Sequence, residues 1–189
     1  MPPGADHWRN TCSIAELHSV SQAEHNSELH EENSMNFSEF ICFDAVNADL
    51  QSTDKEEVIA ELIGTLVASG DLQSDQSTAV ISAVMDRERL GTTGIGRGIA
   101  VPHATLEEVD RPTGTVGISR SGVDFNSLDG STTNAFFLLV SPASQRPIHL
   151  QMLERISRHL KDENFCKFLI QSKDAAAIRM LLNEADGEA

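Results

Sequence analysis

The feature that most constrains the fold is an uninterrupted apolar run, AFFLLV, at residues 135–140. Successive side chains of a β-strand point to opposite faces of the sheet, so a strand that is apolar at every position is buried on both faces. Burial of this kind needs a layer of structure on each side. The run therefore predicts the central strand of a sheet that is covered on both faces.

Apolar residues at helical spacing supply those covering layers. The pattern predicts a helix that follows a capping box at Thr53–Glu56 and ends near Gly70, and a second helix over residues 75–89 that ends at Gly91. Further helices are expected to open at Pro147 and to cover residues 163–171 and 174–183, and further strands to cover 99–101, 115–119 and 123–125. Helices before, between and after strands predict a three-layer α/β domain over residues 36–185.

The two ends of the chain have a different composition. Residues 1–34 hold four of the seven histidines and the single tryptophan among many Ser, Asn and Glu residues. Apolar residues are too scattered there to form a core, so residues 1–35 are predicted to be a disordered tail. Alternatively, Met35 is the true start and the preceding segment is a mis-assigned extension. Residues 186–189 are expected to form a short C-terminal tail.

Charge and cysteine content exclude several classes of protein. The 189 residues carry 14 basic and 29 acidic side chains, a net charge of −15, which disfavours nucleic acids and anionic membranes as partners. The three cysteines are an odd number without CxxC spacing, which fits a reducing compartment and no disulfide framework. Because no apolar run is long enough for a membrane span and no signal peptide is evident, we expect a cytoplasmic protein without membrane insertion.

The segment GTTGIGRGIAVPHA, residues 91–104, is the candidate site. It lacks the Gly-Lys-Ser/Thr of a P-loop and the third glycine of a dinucleotide fingerprint, so nucleotide binding is not expected. Thr93, Gly94, Gly96 and Gly98 could form a phosphate-cradling loop, because glycine lets backbone N–H groups approach an anion. The alternative for these residues is a tight loop without a ligand.

Histidines supply the candidate chemistry. Pro102 should end the strand before it, which places His103 at a strand end, where a neutral imidazole could act as a nucleophile. His149 opens the helix after Pro147, and Arg87 precedes the glycine segment; these could stabilise a phosphoryl group. Each could instead be an ordinary structural or surface residue. His159, ten residues after His149, points elsewhere on the helix, and we leave it outside the site.

Two stretches together resemble a known family. RERLGTTGIGRGIAVPHA, residues 87–104, resembles the active-site signature of the type-2 (fructose/mannitol) enzyme IIA of the bacterial phosphotransferase system, and FFLLVSPASQRPIHLQMLERISRHL, residues 136–160, resembles its second marked region. The amino-acid sequence of the first stretch is most similar to the nitrogen-regulatory branch of this family. The resemblance implies a mixed β-sheet flanked by helices, and no metal or organic cofactor.

It also implies a phosphotransferase reaction. His103 aligns with the histidine that accepts a phosphoryl group on Nε2 from a phosphorylated HPr-type carrier, and His149 and Arg87 align with supporting site residues. The group would pass to a cysteine of an enzyme IIB in fructose-type uptake; alternatively, the phosphorylation state would control a regulatory target protein. Thr105 departs from the family, which often has a base there. A metal-dependent hydrolase remains a third hypothesis, although the segment lacks a carboxylate-rich ligand set.

The distribution of charge suggests how the donor would dock. Residues 41–110, which include His103, carry 13 acidic and 4 basic side chains. We therefore expect an acidic flank that steers a basic donor to the site.

Overall fold

Six strands and five helices make up the part of the chain that the computed structural model describes, residues 35–187. The strands are β1 (Asn47–Leu50), β2 (Gly94–Gly96), β3 (Ile99–Ala100), β4 (His103–Leu106), β5 (Thr113–Val123) and β6 (Thr133–Pro142). The helices are α1 (Lys55–Ser69), α2 (Ser77–Arg89), α3 (Arg146–His159), α4 (Glu163–Gln171) and α5 (Ala175–Gly187).

The sheet is mixed, and β6 lies at its centre. β6 pairs antiparallel with β5 along one edge and parallel with β3 and then β4 along the other. The strand order is β1-β5-β6-β3-β2, with β1 parallel to β5 and β2 antiparallel to β3. The predicted α/β class with a mixed sheet is confirmed.

Alternate side chains of β6 enter two separate cores, as the apolar run predicts. Phe136, Leu138 and Val140 pack with apolar residues of α1 and α2. Ala135, Phe137 and Leu139 pack with apolar residues of α3, α4 and α5 on the other face. The helices therefore form one layer on each face of the sheet, and the three-layer architecture is confirmed.

The start of α1 differs from the prediction by one residue. Asp54, not Thr53, precedes the helix, and its carboxylate accepts hydrogen bonds from the backbone N–H groups of Glu56 and Glu57 at 2.9 and 3.3 Å. An aspartate at this position satisfies two of the helix's free donors and adds a favourable charge–dipole interaction. Gly70 ends the helix in the left-handed conformation at φ 82°, as expected.

Four strands differ from the sequence prediction. One of them, β2, covers Gly94–Gly96, which were expected to lie in a loop. The two runs expected over 115–119 and 123–125 are largely one strand, β5, and β1 was not predicted. β4 is a further difference, because Pro102 lacks an N–H and the sequence predicts that the strand ends there. The carbonyl of Pro102 nevertheless accepts a hydrogen bond from the Leu139 N–H at 3.0 Å, so pairing with β6 resumes at His103.

The predictions for the chain ends are only partly open to comparison. Those for residues 1–34 lie outside the described residues. At the other end, α5 continues to Gly187, beyond the boundary expected at residue 185. None of the helices within residues 35–187 combines the length and apolarity needed to cross a membrane.

Asp186, near the end of α5, joins both ends of the described chain to α3. Its carboxylate accepts hydrogen bonds from the backbone N–H groups of Phe37 and Ser38 at 2.7 and 3.0 Å. The same carboxylate pairs with the buried guanidinium of Arg155 in α3 at 3.2 Å. Charge-assisted bonds with little exposure to water are among the stronger polar contacts in a fold.

We predict that Asp186→Ala destabilises the protein by about 2–3 kcal/mol, because two backbone donors and a buried cation lose an acceptor together. Chemical denaturation measures this difference in unfolding free energy. Asp44→Ala is the matched control, since it removes an aspartate that is 86 % exposed from its pair with Arg179. The control should change stability by less than about 1 kcal/mol, and an equal loss in both variants would contradict the role of Asp186.

Candidate functional site

The structure brings His103, His149 and Arg87 together, although 62 positions separate the first and last of them along the chain. All three line a cavity of about 740 Å³. His103 and Arg87 also line an adjoining cavity of about 430 Å³, in which Thr93 takes part. The sheet and two helices thus converge on the residues that the sequence singled out.

His103, the first residue of β4, has one ring nitrogen occupied by the backbone. Its Nδ1 lies 2.8 Å from the carbonyl oxygen of Val101, an acceptor only, so Nδ1 carries the proton and donates it. The lone pair is then on Nε2. Burial lowers the pKa of His103 below its usual value, and the charge of Arg87 lowers it further, while the Val101 hydrogen bond and Glu88 act in the opposite direction. The imidazole is therefore neutral near pH 7, with Nε2 as its nucleophilic atom.

His149 is buried in the first turn of α3. Its Nδ1 lies 2.7 Å from the hydroxyl oxygen of Ser141, which is itself buried in β6. Burial, and then the neighbouring His103, lower the pKa of His149 to about 4. The two imidazole rings are 5.5 Å apart between centroids and tilted by 48°. A phosphoryl group on one ring would thus lie within reach of the other.

Arg87 is in the last turn of α2, where cations interact favourably with the helix dipole. Its Nη1 donates a hydrogen bond to the carbonyl of Gly91 at 2.9 Å, which directs the guanidinium toward the loop before β2. A fixed guanidinium with further N–H donors is suited to holding an anion beside His103.

Glu88 is a supporting residue that the sequence reasoning missed. It is buried, and its carboxylate accepts hydrogen bonds from both the N–H and the hydroxyl of Thr93, at 2.9 and 2.7 Å, and from Lys55 at 2.9 Å. Burial alone would raise the pKa of Glu88, but these hydrogen bonds outweigh it and lower the pKa. The signal was available, because Val80, Val84 and Glu88 are spaced by four and share the inward face of α2.

The three glycines of the predicted phosphate-cradling loop have close packing contacts or a backbone conformation that account for their small size. Gly94 and Gly96 lie in β2, and a Cβ atom on them would approach side-chain atoms of Ser127 and Asp129 to 2.7 and 2.6 Å. Gly98 has a φ of 76° in the turn to β3, a conformation that favours glycine. None of the three is among the lining residues of the two cavities described above, and only Thr93 of the predicted cradle is.

The charge around His103 contradicts the expected acidic flank. Within the described chain, the residues that line the two cavities include five bases, Arg87, Arg89, Arg97, Arg146 and Lys161, and a single acid, Asp86. Asp86 is paired with Arg89. The acidic residues of the 41–110 segment largely lie elsewhere on the fold, as on α1, so a sum along the sequence does not describe this surface.

The remaining candidate ligands lie apart from this site. His159 packs against Phe37 and Phe165, at 5.2 and 5.4 Å between ring centroids. Cys42 donates a hydrogen bond to Asp71 at 2.7 Å and Cys166 is buried, while Cys12 lies outside the described residues. Across residues 35–187, no group of three or more His, Cys, Asp or Glu side chains is arranged to hold a metal ion.

Comparison with known families gives one match across most of the chain. The family model described as "Phosphoenolpyruvate-dependent sugar phosphotransferase system, EIIA 2" matches residues 39–185. This span contains every element of the described sheet and all three residues of the site.

The relatives include fructose-specific EIIA components and nitrogen regulatory proteins. The chain is 34 % identical over 152 residues to the PTS system fructose-specific EIIABC component of Bacillus subtilis. The aligned region covers 80 % of this chain but only 24 % of that protein. It is 32 % identical over 148 residues to the nitrogen regulatory protein of Bradyrhizobium diazoefficiens, covering 78 % of this chain and 95 % of that protein. Among solved structures, nitrogen regulatory protein IIA-Ntr from Neisseria meningitidis superposes with a TM-score of 0.69 at 25 % identity, covering 76 % of this chain and 97 % of that one.

We predict that His149 titrates with a midpoint near pH 4, because burial and the neighbouring His103 disfavour its charged form. Between about pH 6.5 and pH 4, His149 is protonated in the unfolded chain but stays neutral in the folded chain. This residue therefore makes the fold lose stability as the pH falls through that window, and the loss levels off below pH 4. Histidine ring signals followed by NMR across this range measure the midpoint, and a value near 6.5 would contradict the prediction.

Proposed function

This chain belongs to the EIIA 2 family of the phosphoenolpyruvate-dependent sugar phosphotransferase system, and we propose that it carries a phosphoryl group on Nε2 of His103. The group arrives from the phosphohistidine of an HPr-type carrier and leaves to a cysteine of an enzyme IIB. The observation that carries this proposal is the 2.8 Å contact between Nδ1 of His103 and the Val101 carbonyl, which reserves Nε2 for the reaction.

Both transfer steps exchange one bond to phosphorus for another. In the first, the lone pair of Nε2 attacks phosphorus as the P–N bond of the donor breaks and its electron pair returns to the donor imidazole. In the second, the thiolate of the acceptor cysteine attacks phosphorus as the P–Nε2 bond breaks and its pair returns to His103. The proton on Nδ1 of His103 stays on that nitrogen, hydrogen-bonded to the Val101 carbonyl, through both steps, so neither step needs a general base.

His149 and Arg87 stabilise the charge on the phosphoryl oxygens in this proposal. When the Ser141 hydroxyl donates to Nδ1 of His149, the proton of the neutral imidazole is on Nε2 and can be donated to a phosphoryl oxygen. Arg87 adds a positive charge on the side of α2. Donors held in a partly buried site contribute more to this stabilisation than they would in water.

A regulatory role is the second candidate, and the extent of the alignments favours it. The alignment spans 95 % of a nitrogen regulatory protein but 24 % of an EIIABC component. In this alternative His103 accepts the same phosphoryl group, and its phosphorylation state controls a target protein without a sugar acceptor. We place either reaction in the cytoplasm, a reducing compartment in which thiols such as Cys42 and Cys166 stay unpaired.

One reconstitution tests the proposal and separates the two roles. The protein is mixed with phosphoenolpyruvate, enzyme I and HPr, and acid-labile phosphate is located by mass spectrometry. The proposal predicts phosphate on His103. Loss of the label when enzyme IIB proteins are added supports transport, and its persistence with every enzyme IIB of the organism supports regulation.

We predict that His103→Ala abolishes labelling and that His149→Ala slows it by about 10²-fold, the usual effect of removing one preorganised donor. His159→Gln is the matched control, because it changes a histidine of the same helix as His149 that lies outside the site. The control should be labelled at the normal rate. Normal labelling of His103→Ala would refute the proposal, and unchanged kinetics of His149→Ala would make that residue structural.

A further inference from the structure

A continuous series of hydrogen bonds connects Glu88 of α2 to the imidazole of His103. The Glu88 carboxylate accepts hydrogen bonds from the backbone N–H of Thr93 at 2.9 Å and from its hydroxyl at 2.7 Å. The carbonyl of Thr93 accepts a hydrogen bond from the N–H of Val101 at 3.0 Å. The carbonyl of Val101 in turn accepts a hydrogen bond from Nδ1 of His103 at 2.8 Å. The carboxylate and the ring are thus joined through two residues of the backbone.

Thr93 depends on Glu88 for its position. It lies just before β2 and is buried, so its N–H and its hydroxyl need acceptors, and the Glu88 carboxylate serves both. Val101 directly follows β3, which lies between β2 and β6 in the sheet. On the β6 side, the carbonyl of Pro102 accepts a hydrogen bond from the Leu139 N–H. The Val101 carbonyl is therefore held by β6 on one side and by Thr93, with Glu88 behind it, on the other.

Glu88 is buried as an ion, although stability alone does not require one. Its carboxylate pairs with Lys55 at 2.9 Å, and the Lys55 ammonium lies 4.4 Å from the centre of the Phe125 ring. Burial raises the pKa of Glu88, but the hydrogen bonds from Thr93 and Lys55 outweigh it, so the group is charged near pH 7. Apolar side chains of similar volume often stabilise a fold at least as well as a buried ion pair. A requirement of the site explains this pair better than stability does.

We propose that Glu88 is a positioning residue for phosphoryl transfer, because through Thr93 it fixes the Val101 carbonyl and so keeps the proton of His103 on Nδ1. This inference rests on the proposed function and adds a residue that is not among those lining the two cavities. A neutral imidazole can carry its proton on either nitrogen, and only the form with the proton on Nδ1 has a lone pair on Nε2. We call this the reactive form of His103.

The population of the reactive form sets the rate of labelling. If the proton lies on Nε2 in about nine molecules of ten, only about a tenth of the protein can attack phosphorus with Nε2, and the rate falls about tenfold. The loss of rate and the loss of the reactive form must then agree in size. The concentration of donor that half-saturates labelling should not change, because Glu88 is buried and does not line the cavities.

The test compares two double variants in which Lys55 and Glu88 are changed together, so that neither charge is left without its partner. Lys55→Met with Glu88→Gln keeps a side-chain oxygen that can accept hydrogen bonds from Thr93. Lys55→Met with Glu88→Met removes that acceptor and fills a similar volume, so the fold should persist at the cost of the two Thr93 donors.

Glu61 offers a matched control on α1. Its partly buried carboxylate also accepts two backbone N–H groups, those of Gln51 and Ser52, at 3.1 and 2.9 Å. These residues follow β1, which is separated from β4 by β5 and β6. Glu61→Met therefore removes the same kind of contact away from His103.

Two measurements are made on each variant. Nitrogen NMR of isotope-labelled histidine distinguishes protonated from unprotonated ring nitrogens, and it gives the fraction of His103 in the reactive form without any donor present. Initial rates of labelling by the phosphorylated HPr-type carrier, over a range of carrier concentrations, give the maximal rate and the half-saturating concentration.

We expect the Glu88→Met double variant to lose at least about tenfold in the reactive form and in the maximal rate alike, with the half-saturating concentration unchanged. The Glu88→Gln double variant should keep both within about threefold of the unaltered protein, because its amide oxygen can still accept from Thr93. Glu61→Met should match the unaltered protein in both measurements.

A slower rate with an unchanged reactive form would overturn the proposal, and so would normal values of both in the Glu88→Met double variant. If that variant does not fold, Thr93→Val provides the test, since it deletes only the hydroxyl contact with Glu88. An equal loss of about threefold in both measurements would support the proposal, and no loss in the reactive form would refute it. Failure to label the unaltered protein would refute the proposed function, whereas the NMR measurement tests Glu88 without a donor.

Discussion

The position of both site histidines depends on strand β6. His103 lies opposite Leu139 in the register between β4 and β6, and the hydroxyl of Ser141, two residues further along β6, holds Nδ1 of His149 at 2.7 Å. β6 itself cannot shift, because a slip of one residue would exchange the side chains that face the two cores. The 5.5 Å separation of the imidazole rings therefore follows from the register of β6, which the two cores fix, and from the hydrogen bond to Ser141.

Much of the fold follows from local sequence patterns, and the parts that do not are set by distant contacts. The apolar run of β6 and the helical periodicity of α1 to α5 are sufficient to predict three layers. β1 is a four-residue strand, NADL, and is held by pairing with β5, which lies more than sixty residues away. β4 could not be predicted, because the sequence does not show that the carbonyl of Pro102 would continue the pairing with β6.

The site divides in the same way. Motif spacing identified His103, His149 and Arg87, and their meeting in one cavity needed the fold. The glycines after Thr93 suggested an anion loop. Gly94 and Gly96 instead lie against Ser127 and Asp129, which no local pattern connects to them. The acidic flank expected around His103 was wrong for a related reason. The net charge of residues 41–110 does not show that arginines from the end of α2 and the start of α3 meet around a neutral imidazole.

The contacts of Asp186 with Phe37, Ser38 and Arg155 make the two ends of the described chain part of the support of the site. Asp186 ties Phe37 and Ser38 to Arg155, which lies six residues beyond His149 and so about 9 Å further along α3. The two ends of the described chain and the helix that carries His149 therefore share one carboxylate. A change that displaces Asp186 would release both chain ends and the buried Arg155 together, so the ends of the chain belong to the support of α3.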